Sequence, residues 1–329
     1  MLGDIKNAGD VFSFADDQLN SLIAGGALSK VPNASEVKDA NTAESVAASS
    51  YNGELYAYPM TADNGYFLYY DKKYFDDDDV RRLEGILDVC EANGKKMTFD
   101  LLSGWYMYAF FGQAGLTMGL NEDGVTNHCD WNGRGLVAGA DIAQAMLDLV
   151  ARPGFKVGGD ADLLAGAKDG SVIAGVSGVW NAVAIKEIWG DDYGAVKLPT
   201  YDVKGHHVQM ASFTGFKMVG VNPYSEEEEW AHKFADYITN EAAQPRRFVV
   251  RNQGPSNRKA AASDEVAKVP AILAVIEQSS FGTLQRVGNS YWGACTTFAE
   301  TIAAGNPGGK SMQDLVDALV EGITQSVAQ

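Results

Sequence analysis

The chain has 329 residues, a net charge of −17, and 46% hydrophobic and 21% charged residues. This length and composition predict a globular protein of one or two domains with sizeable cores. The acidic balance argues against nucleic acid as a partner, because phosphate binding relies on clustered Lys and Arg. Only three Cys and four His are present, so the sequence indicates neither a disulfide framework nor a zinc or other imidazole-based metal site. No cofactor is expected. It also contains no apolar run long enough to span a bilayer.

The first predicted elements are a short strand at Val11–Ala15 and a helix that follows it directly. Asp16 is placed to cap this helix, and Gly25-Gly26 ends it. A strand followed at once by a helix is typical of α/β proteins.

The segment around Tyr51–Phe75 predicts two strands separated by a polar crossing. Asn52-Gly53 is a strong hairpin signal, because both central positions of a type I′ turn need positive φ. A short strand is predicted at Leu55–Tyr58, and Pro59 is expected to end ladder pairing on that side. Asp63-Asn64 then lies in a polar segment that either passes between two lobes, where it faces a ligand, or is an exposed kink in a β-meander.

Four aspartates at Asp76–Asp79 lead into a predicted helix. They lack the alternating ligands and the distal Glu of an EF-hand loop, so the pattern favours charge at a helix start over a calcium site. Whether a metal ion binds there is left open by the sequence.

A buried strand predicted at Ser171–Val176 runs directly into Trp180 at the start of a helix. The carboxyl end of an α/β sheet is where such proteins bind ligands. A Trp packed in the core is the alternative interpretation of the same pattern.

A helix is predicted over Glu226–Thr239, with Ser225 as its cap. Its large apolar residues recur at helical spacing, which predicts that they face inward. These residues are Trp230, Phe234, Tyr237 and Ile238.

The string Ala304–Ser311 matches a relaxed phosphate-binding loop. Such a loop must leave a buried strand and enter a helix, but this one follows a predicted helix. The segment is therefore interpreted as a turn between helices, with Ser311 as the cap of the second.

Four aromatic residues lie at the start of a helix or just before one, instead of in its apolar stripe: Phe14, Trp105, Trp180 and Trp292. Aromatic faces suit the C–H faces of sugar rings, and short polar side chains nearby bind hydroxyl groups. The pattern predicts a carbohydrate-binding cleft. A glycoside hydrolase with two catalytic carboxylates is the alternative, although no two carboxylates are marked as an acid and a base.

Five segments together resemble the extracellular solute-binding proteins of ABC importers, and most closely their maltose and maltodextrin-binding branch. They are Gly-Asp-Val-Phe-Ser-Phe-Ala-Asp-Asp-Gln-Leu at 9–19, Tyr-Asn-Gly-Glu-Leu-Tyr-Ala-Tyr-Pro-Met at 51–60, Gly-Ser-Val-Ile-Ala-Gly-Val-Ser-Gly-Val-Trp-Asn at 170–181, Lys-Leu-Pro-Thr at 197–200 and Leu-Gln-Arg-Val-Gly-Asn-Ser-Tyr-Trp at 284–292. The resemblance covers essentially the whole chain, although Trp105 stands where the best-known maltodextrin binders carry Tyr.

The resemblance implies an α/β, periplasmic-binding-protein-like class II fold, with two lobes joined by a hinge. The N-terminal lobe is expected over 1–61 and 216–282, and the C-terminal lobe over 62–215 and 283–329. Family members begin with an export signal and a βαβ unit that have no counterpart here. The chain is therefore expected to be N-terminally truncated, with an incomplete first lobe.

The resemblance also implies a function without catalysis, namely binding malto-oligosaccharides between the lobes and delivering them to a membrane permease of an ABC transporter. Asp17 and Asp63 match positions that bind sugar hydroxyls, and the four aromatic residues match platforms that stack on glucose rings. The protein is expected to be a monomer outside the cell, at the cell surface or in the periplasm. Another oligosaccharide is the alternative ligand.

Overall fold

The computed structural model describes residues 4–325. Its strands are β1 Val11–Ala15, β2 Ser50–Tyr51, β3 Glu54–Leu55, β4 Tyr58–Thr61, β5 Tyr66–Asp71, β6 Lys96–Phe99, β7 Met118–Leu120, β8 Asn127–Cys129, β9 Phe155–Val157, β10 Val172–Gly178, β11 Tyr193–Val196, β12 Thr200–Val203, β13 His206–Gln209, β14 Ser212–Thr214, β15 Lys217–Val221 and β16 Gly282–Leu284. Its α-helices are α1 Leu19–Ala24, α2 Ala34–Ala40, α3 Ala43–Ala48, α4 Leu83–Ala92, α5 Gly104–Phe111, α6 Gly139–Val150, α7 Asp160–Asp169, α8 Ala182–Trp189, α9 Glu228–Thr239, α10 Ala243–Arg251, α11 Arg258–Ala261, α12 Pro270–Ser279, α13 Ser290–Ala303 and α14 Met312–Thr324.

The chain divides into two compact units, each built from two stretches of sequence. Unit 1 comprises Met1–Asn64 and Thr214–Ile272, and unit 2 comprises Gly65–Phe213 and Leu273–Gln329. The assignment of residues to functional lobes, made from the resemblance, stays a prediction.

Unit 1 contains an antiparallel sheet in the order β1-β15-β4. Helix α9 packs on this sheet through small residues, Ala231 and Ala235, which are buried with Val219 and Val221 of β15. Small side chains let the helix approach the strands closely, and this approach decides which face of α9 lies inward.

The prediction that the large apolar residues of α9 face inward is wrong for three of them. Trp230 is 65% exposed, Phe234 54% and Tyr237 69%. The helix buries Ala231 and Ala235 instead, because these are the residues that fit against the sheet. Helical spacing identified an apolar stripe, but it could not tell which of two stripes meets the sheet.

The hairpin prediction at Asn52-Gly53 is confirmed, since φ is 50° at Asn52 and 82° at Gly53. It joins the two short strands β2 and β3. The prediction for Pro59 is wrong, because this residue lies inside β4 opposite Met218. β4 is an edge strand of its sheet, which is where a residue without an N–H is tolerated.

Unit 2 is organised around a mixed sheet in the order β11-β5-β10-β6-β9. β10 and β9 both run parallel to β6, and β5 and β11 are antiparallel to their neighbours. Every residue of β5 and β10 is buried, as expected of strands covered on both faces. The carboxyl ends of β6, β9 and β10 therefore lie along one edge, here called the carboxyl edge of unit 2.

Both motif interpretations are supported by local hydrogen bonds. Oδ1 of Asp76 accepts the N–H groups of Asp78 and Asp79 at 2.9 and 3.0 Å, so the acidic run caps its own turn. Ser311 caps α14, because its Oγ accepts the N–H of Asp314 at 3.0 Å.

Between residues 4 and 325, no helix is both long and apolar enough to cross a membrane. In the same part of the chain, no group of three or more His, Cys, Asp or Glu side chains is placed to hold a metal ion.

Candidate functional site

The candidate ligand residues Asp17 and Asp63 of unit 1 follow strands that end at the same edge of its sheet. Ala15 of β1 and Thr61 of β4 both lie opposite Lys217, the first residue of β15. Because both strands run antiparallel to β15, their carboxyl ends meet at its amino end. The structure thus brings the segments that carry Asp17 and Asp63 to one sheet edge of this unit.

Asp17 is partly buried in the short turn Asp16–Gln18 that follows β1. Burial, together with the charge of Asp16, raises the pKa of Asp17 to about 6. Asp16 does not cap α1 as predicted. It is 2% exposed, and its Oδ1 accepts the N–H of Phe216 at 3.0 Å. Asp16 therefore links β1 to the backbone before β15, whereas Asp17 is partly buried and its contact with a ligand stays a prediction.

Asp63 and Phe14 are both deeply buried. Asp63 is 2% exposed and its Oδ2 accepts the N–H of Gly254 at 2.5 Å. Burial raises the pKa of Asp63, and the hydrogen bonds it accepts and the charge of Lys217 oppose that shift. Phe14 is 7% exposed, with its ring centroid 5.7 Å from that of Phe12. Both residues lie in the interior of the folded unit, and their contact with a ligand stays a prediction.

In unit 2, the rings of Trp105 and Trp292 both lie close to that of Phe213. The ring of Trp105 stacks on Phe213, with centroids 5.5 Å apart and planes 29° apart, and the Trp292 centroid lies 6.4 Å from Phe213. The hydroxyl of Tyr66 donates to the carbonyl oxygen of Trp105 at 2.8 Å. A Cβ atom at Gly104 would lie 3.3 Å from the Trp292 ring, so this glycine keeps α5 close to α13. Both Trp side chains are partly exposed.

Trp180 lies at the carboxyl edge of unit 2, in a single turn after β10. Its Nε1–H donates to Oδ2 of Asp160 at 2.8 Å. Its six-membered ring lies against Gly178, where a Cβ atom would be only 2.1 Å from Cζ3. The ring is partly exposed and packs against the core of unit 2, and its contact with a ligand stays a prediction.

Two carboxylates at the carboxyl edge of unit 2, Asp100 and Asp160, were not among the ligand residues predicted from the sequence. Asp100 follows β6 directly, and Asp160 begins α7 soon after β9. Burial, and then the charge of Asp160, raise the pKa of Asp100. The available signal was an Asp just beyond a strand end, but β9 has only three residues and was not predicted as a strand.

A cavity of about 550 Å³ in unit 1 contains none of the candidate ligand residues. It lies between α9 and the segment of Lys30, and its lining comprises Lys30, Pro32, Asn33, Tyr58, Glu228, Glu229, His232, Lys233 and Asp236. Its polar groups bond with one another: Lys233 pairs with Glu229 at 2.6 Å, and Asn33 donates to Asp236 at 3.1 Å. We therefore assign it no ligand.

Comparison with known proteins agrees with this architecture. The family described as bacterial extracellular solute-binding protein matches residues 3–274. The galactooligosaccharide-binding protein of Bacillus subtilis (strain 168) is 27% identical over 328 residues, which are 95% of this chain and 76% of that protein. The maltodextrin-binding protein MdxE of the same strain is 24% identical over 98% of this chain and 79% of that protein.

The fold comparison gives the same result. A solved structure obtained with acarbose is 32% identical and has a TM-score of 0.85, over 98% of this chain and 85% of that chain. The predicted α/β, periplasmic-binding-protein-like class II fold is confirmed. Since the family match covers most of the chain, this protein belongs to the bacterial extracellular solute-binding protein family.

Proposed function

We propose that this protein captures malto-oligosaccharides and delivers them to the membrane permease of an ABC importer, acting as a monomer outside the cell. The observation that carries the proposal is the arrangement in unit 2. Trp180 presents a partly exposed indole at the carboxyl edge, and Trp105 and Trp292 lie together around Phe213. Aromatic faces of this kind pack on the C–H faces of sugar rings.

Carboxylates supply the polar half of the proposed recognition. Asp17 in unit 1 and Asp100 in unit 2 are each partly buried, and a carboxylate in such surroundings is a strong acceptor for hydroxyl groups. The maltodextrin-binding relative and the structure obtained with acarbose support a ligand of this class.

Galacto-oligosaccharides are the second candidate ligand. The relative that binds them is 27% identical to this chain, and stacking on an aromatic ring does not by itself distinguish glucose from galactose. Which of the two sugars binds more tightly depends on which ring hydroxyl groups the polar side chains of the site contact.

A glycoside hydrolase is less well supported. Such an enzyme needs two carboxyl groups that can give and take protons beside the scissile bond. At the carboxyl edge, Asp160 already accepts one hydrogen bond on each oxygen, from Ser177 and Trp180. Asp160 is therefore a poor proton donor to a sugar.

Calorimetric titration with maltotriose, a galactotriose and acarbose tests the proposal. We expect binding of maltotriose, and tighter binding of the galactotriose would instead favour the second candidate. Chromatography of the sugar after long incubation tests catalysis, and recovery of intact maltotriose is expected. Light scattering on the same samples measures the molar mass and so tests whether the protein is a monomer.

Delivery requires a separate measurement. Uptake of labelled maltotriose by vesicles that contain an importer permease should depend on added protein. A Trp180→Ala variant should support less uptake than the wild type, because it captures less sugar.

A further inference from the structure

A single carboxylate bonds to the residues at and around Trp180. Oδ2 of Asp160 accepts the indole N–H at 2.8 Å, and Oδ1 accepts the hydroxyl of Ser177 at 2.6 Å. The Nδ2 atom of Asn181 donates to the same Ser177 oxygen at 2.9 Å. Asp160 thus links the end of strand β10 to the single helical turn that follows it.

The strand order explains how Asp160 reaches this position. It is the first residue of α7, which follows β9, and β6 separates β9 from β10 in the sheet. Because the three strands are parallel, the residues after β9 and after β10 lie along the same edge. Helix α7 also packs against α8, which follows the turn of Trp180.

Gly178 supplies a second constraint on the indole. Its Cα lies so close to the ring that a Cβ would approach Cζ3 to 2.1 Å and Cη2 to 2.2 Å. The ring therefore lies against backbone while its N–H edge is bound by Asp160. Together the two contacts restrict rotation about both side-chain torsions.

We propose that Asp160 is a positioning residue, which holds the Trp180 indole in the orientation that stacks on a sugar ring. This inference rests on the proposed function and deepens it. A hydrogen bond to an ionised acceptor is stronger than one between neutral groups, so the ring is kept from turning away. An indole ordered before binding loses less entropy when the ligand arrives.

A double-mutant cycle separates positioning from direct contact. Asp160→Ala should weaken maltotriose affinity by about tenfold, since a charge-assisted hydrogen bond is lost. In a Trp180→Phe background, which has no ring N–H, the same change should alter affinity by less than about twofold. Asp160→Asn keeps one acceptor and should give an intermediate loss. Asp162→Asn is the control on the same helix, because Asp162 pairs with Lys156 at 2.9 Å.

An equal loss in both backgrounds would overturn the proposal, because Asp160 would then act on the ligand or on the fold without Trp180. Nuclear magnetic resonance of the ligand-free protein gives an independent readout. The Trp180 indole resonance, identified by its absence in Trp180→Phe, should move and exchange faster in Asp160→Asn. An unchanged resonance contradicts the positioning role.

The two proposals fail in different ways. If the wild type binds none of the three sugars, the proposed function is wrong, and the role of Asp160 in sugar stacking is wrong with it, even where the indole resonance still responds. If the wild type binds maltotriose but the cycle shows no coupling, only the inference about Asp160 is wrong.

Discussion

Asp16 and Phe216 connect the end of β1 to the residue before β15, through an N–H donated to Oδ1 at 3.0 Å. Gly215 is required for this contact, because a Cβ there would lie 2.4 Å from the same oxygen. Gly215→Ala should therefore displace Asp16 and lower the free energy of unfolding by about 1–3 kcal/mol. Urea unfolding measures the change. Gly293→Ala is the control, since this exposed helical glycine has no atom near its added Cβ, and it should raise stability slightly.

The raised pKa of Asp17 predicts a dependence of stability on pH. Its value is about 6 in the folded protein, against an ordinary value of 3.8, so between these values the folded state binds more protons than the unfolded state. The contribution of Asp17 to the free energy of unfolding therefore falls as the pH rises through this window. Asp17→Asn should be more stable than the wild type at pH 7 by roughly 1–2 kcal/mol, since one pKa unit corresponds to about 1.4 kcal/mol. This advantage should disappear near pH 4.

The affinity for ligand, unlike the stability, should rise with pH. If ionised Asp17 accepts a sugar hydroxyl, maltotriose should bind more weakly at pH 5 than at pH 7.5, because protonation removes a charged acceptor. Calorimetry at both pH values measures this. The same pH dependence in Asp17→Asn would show that another group is responsible.

Trp292 and Tyr291 are neighbours with different predicted roles. Tyr291 is completely buried and its hydroxyl donates to the carbonyl of Gly104 at 2.8 Å, whereas Trp292 is partly exposed. Tyr291→Ala should cost about 3–5 kcal/mol of stability. Trp292→Ala should lower stability far less but weaken maltotriose binding by roughly 2 kcal/mol, as an aromatic anchor does. Thermal unfolding and calorimetry on both variants separate the roles, and unchanged affinity in Trp292→Ala would count against its place in the site.

The exposed stripe of α9 predicts tolerance to polar substitution. Phe234→Gln should change the free energy of unfolding by no more than about 0.5 kcal/mol, because the side chain is largely in water. Ala235→Asp, one residue further, places a charge in the buried contact with the sheet and should be strongly destabilising. A large loss of stability in Phe234→Gln would mean that this face of α9 is covered in the folded protein.

Lys233, whose Nζ lies 4.5 Å from the Trp230 ring centroid, should contribute only a weak cation–π interaction.

The sequence by itself determined the α/β class, the family and several local features. The turn at Asn52-Gly53 and the cap at Ser311 were predicted correctly because they depend on backbone preferences within a few residues. The family resemblance was recognisable for a similar reason, since it is carried by continuous segments. Trp180 could be marked as a candidate platform because strand and helix patterns meet at that point of the chain.

Only the tertiary structure decided what surrounds those residues. Asp160 lies twenty positions before Trp180 in the chain. The two meet because β9 and β10 both run parallel to β6, so the segments that follow them leave the sheet at the same edge. The face that α9 turns to its sheet was likewise undetermined, because close approach of the strands selected Ala235 over Phe234. The deep burial of Asp63 has the same origin, since its partner Gly254 lies 191 residues away. Contacts of this kind depend on the register of distant strands, and no spacing along the chain encodes that register.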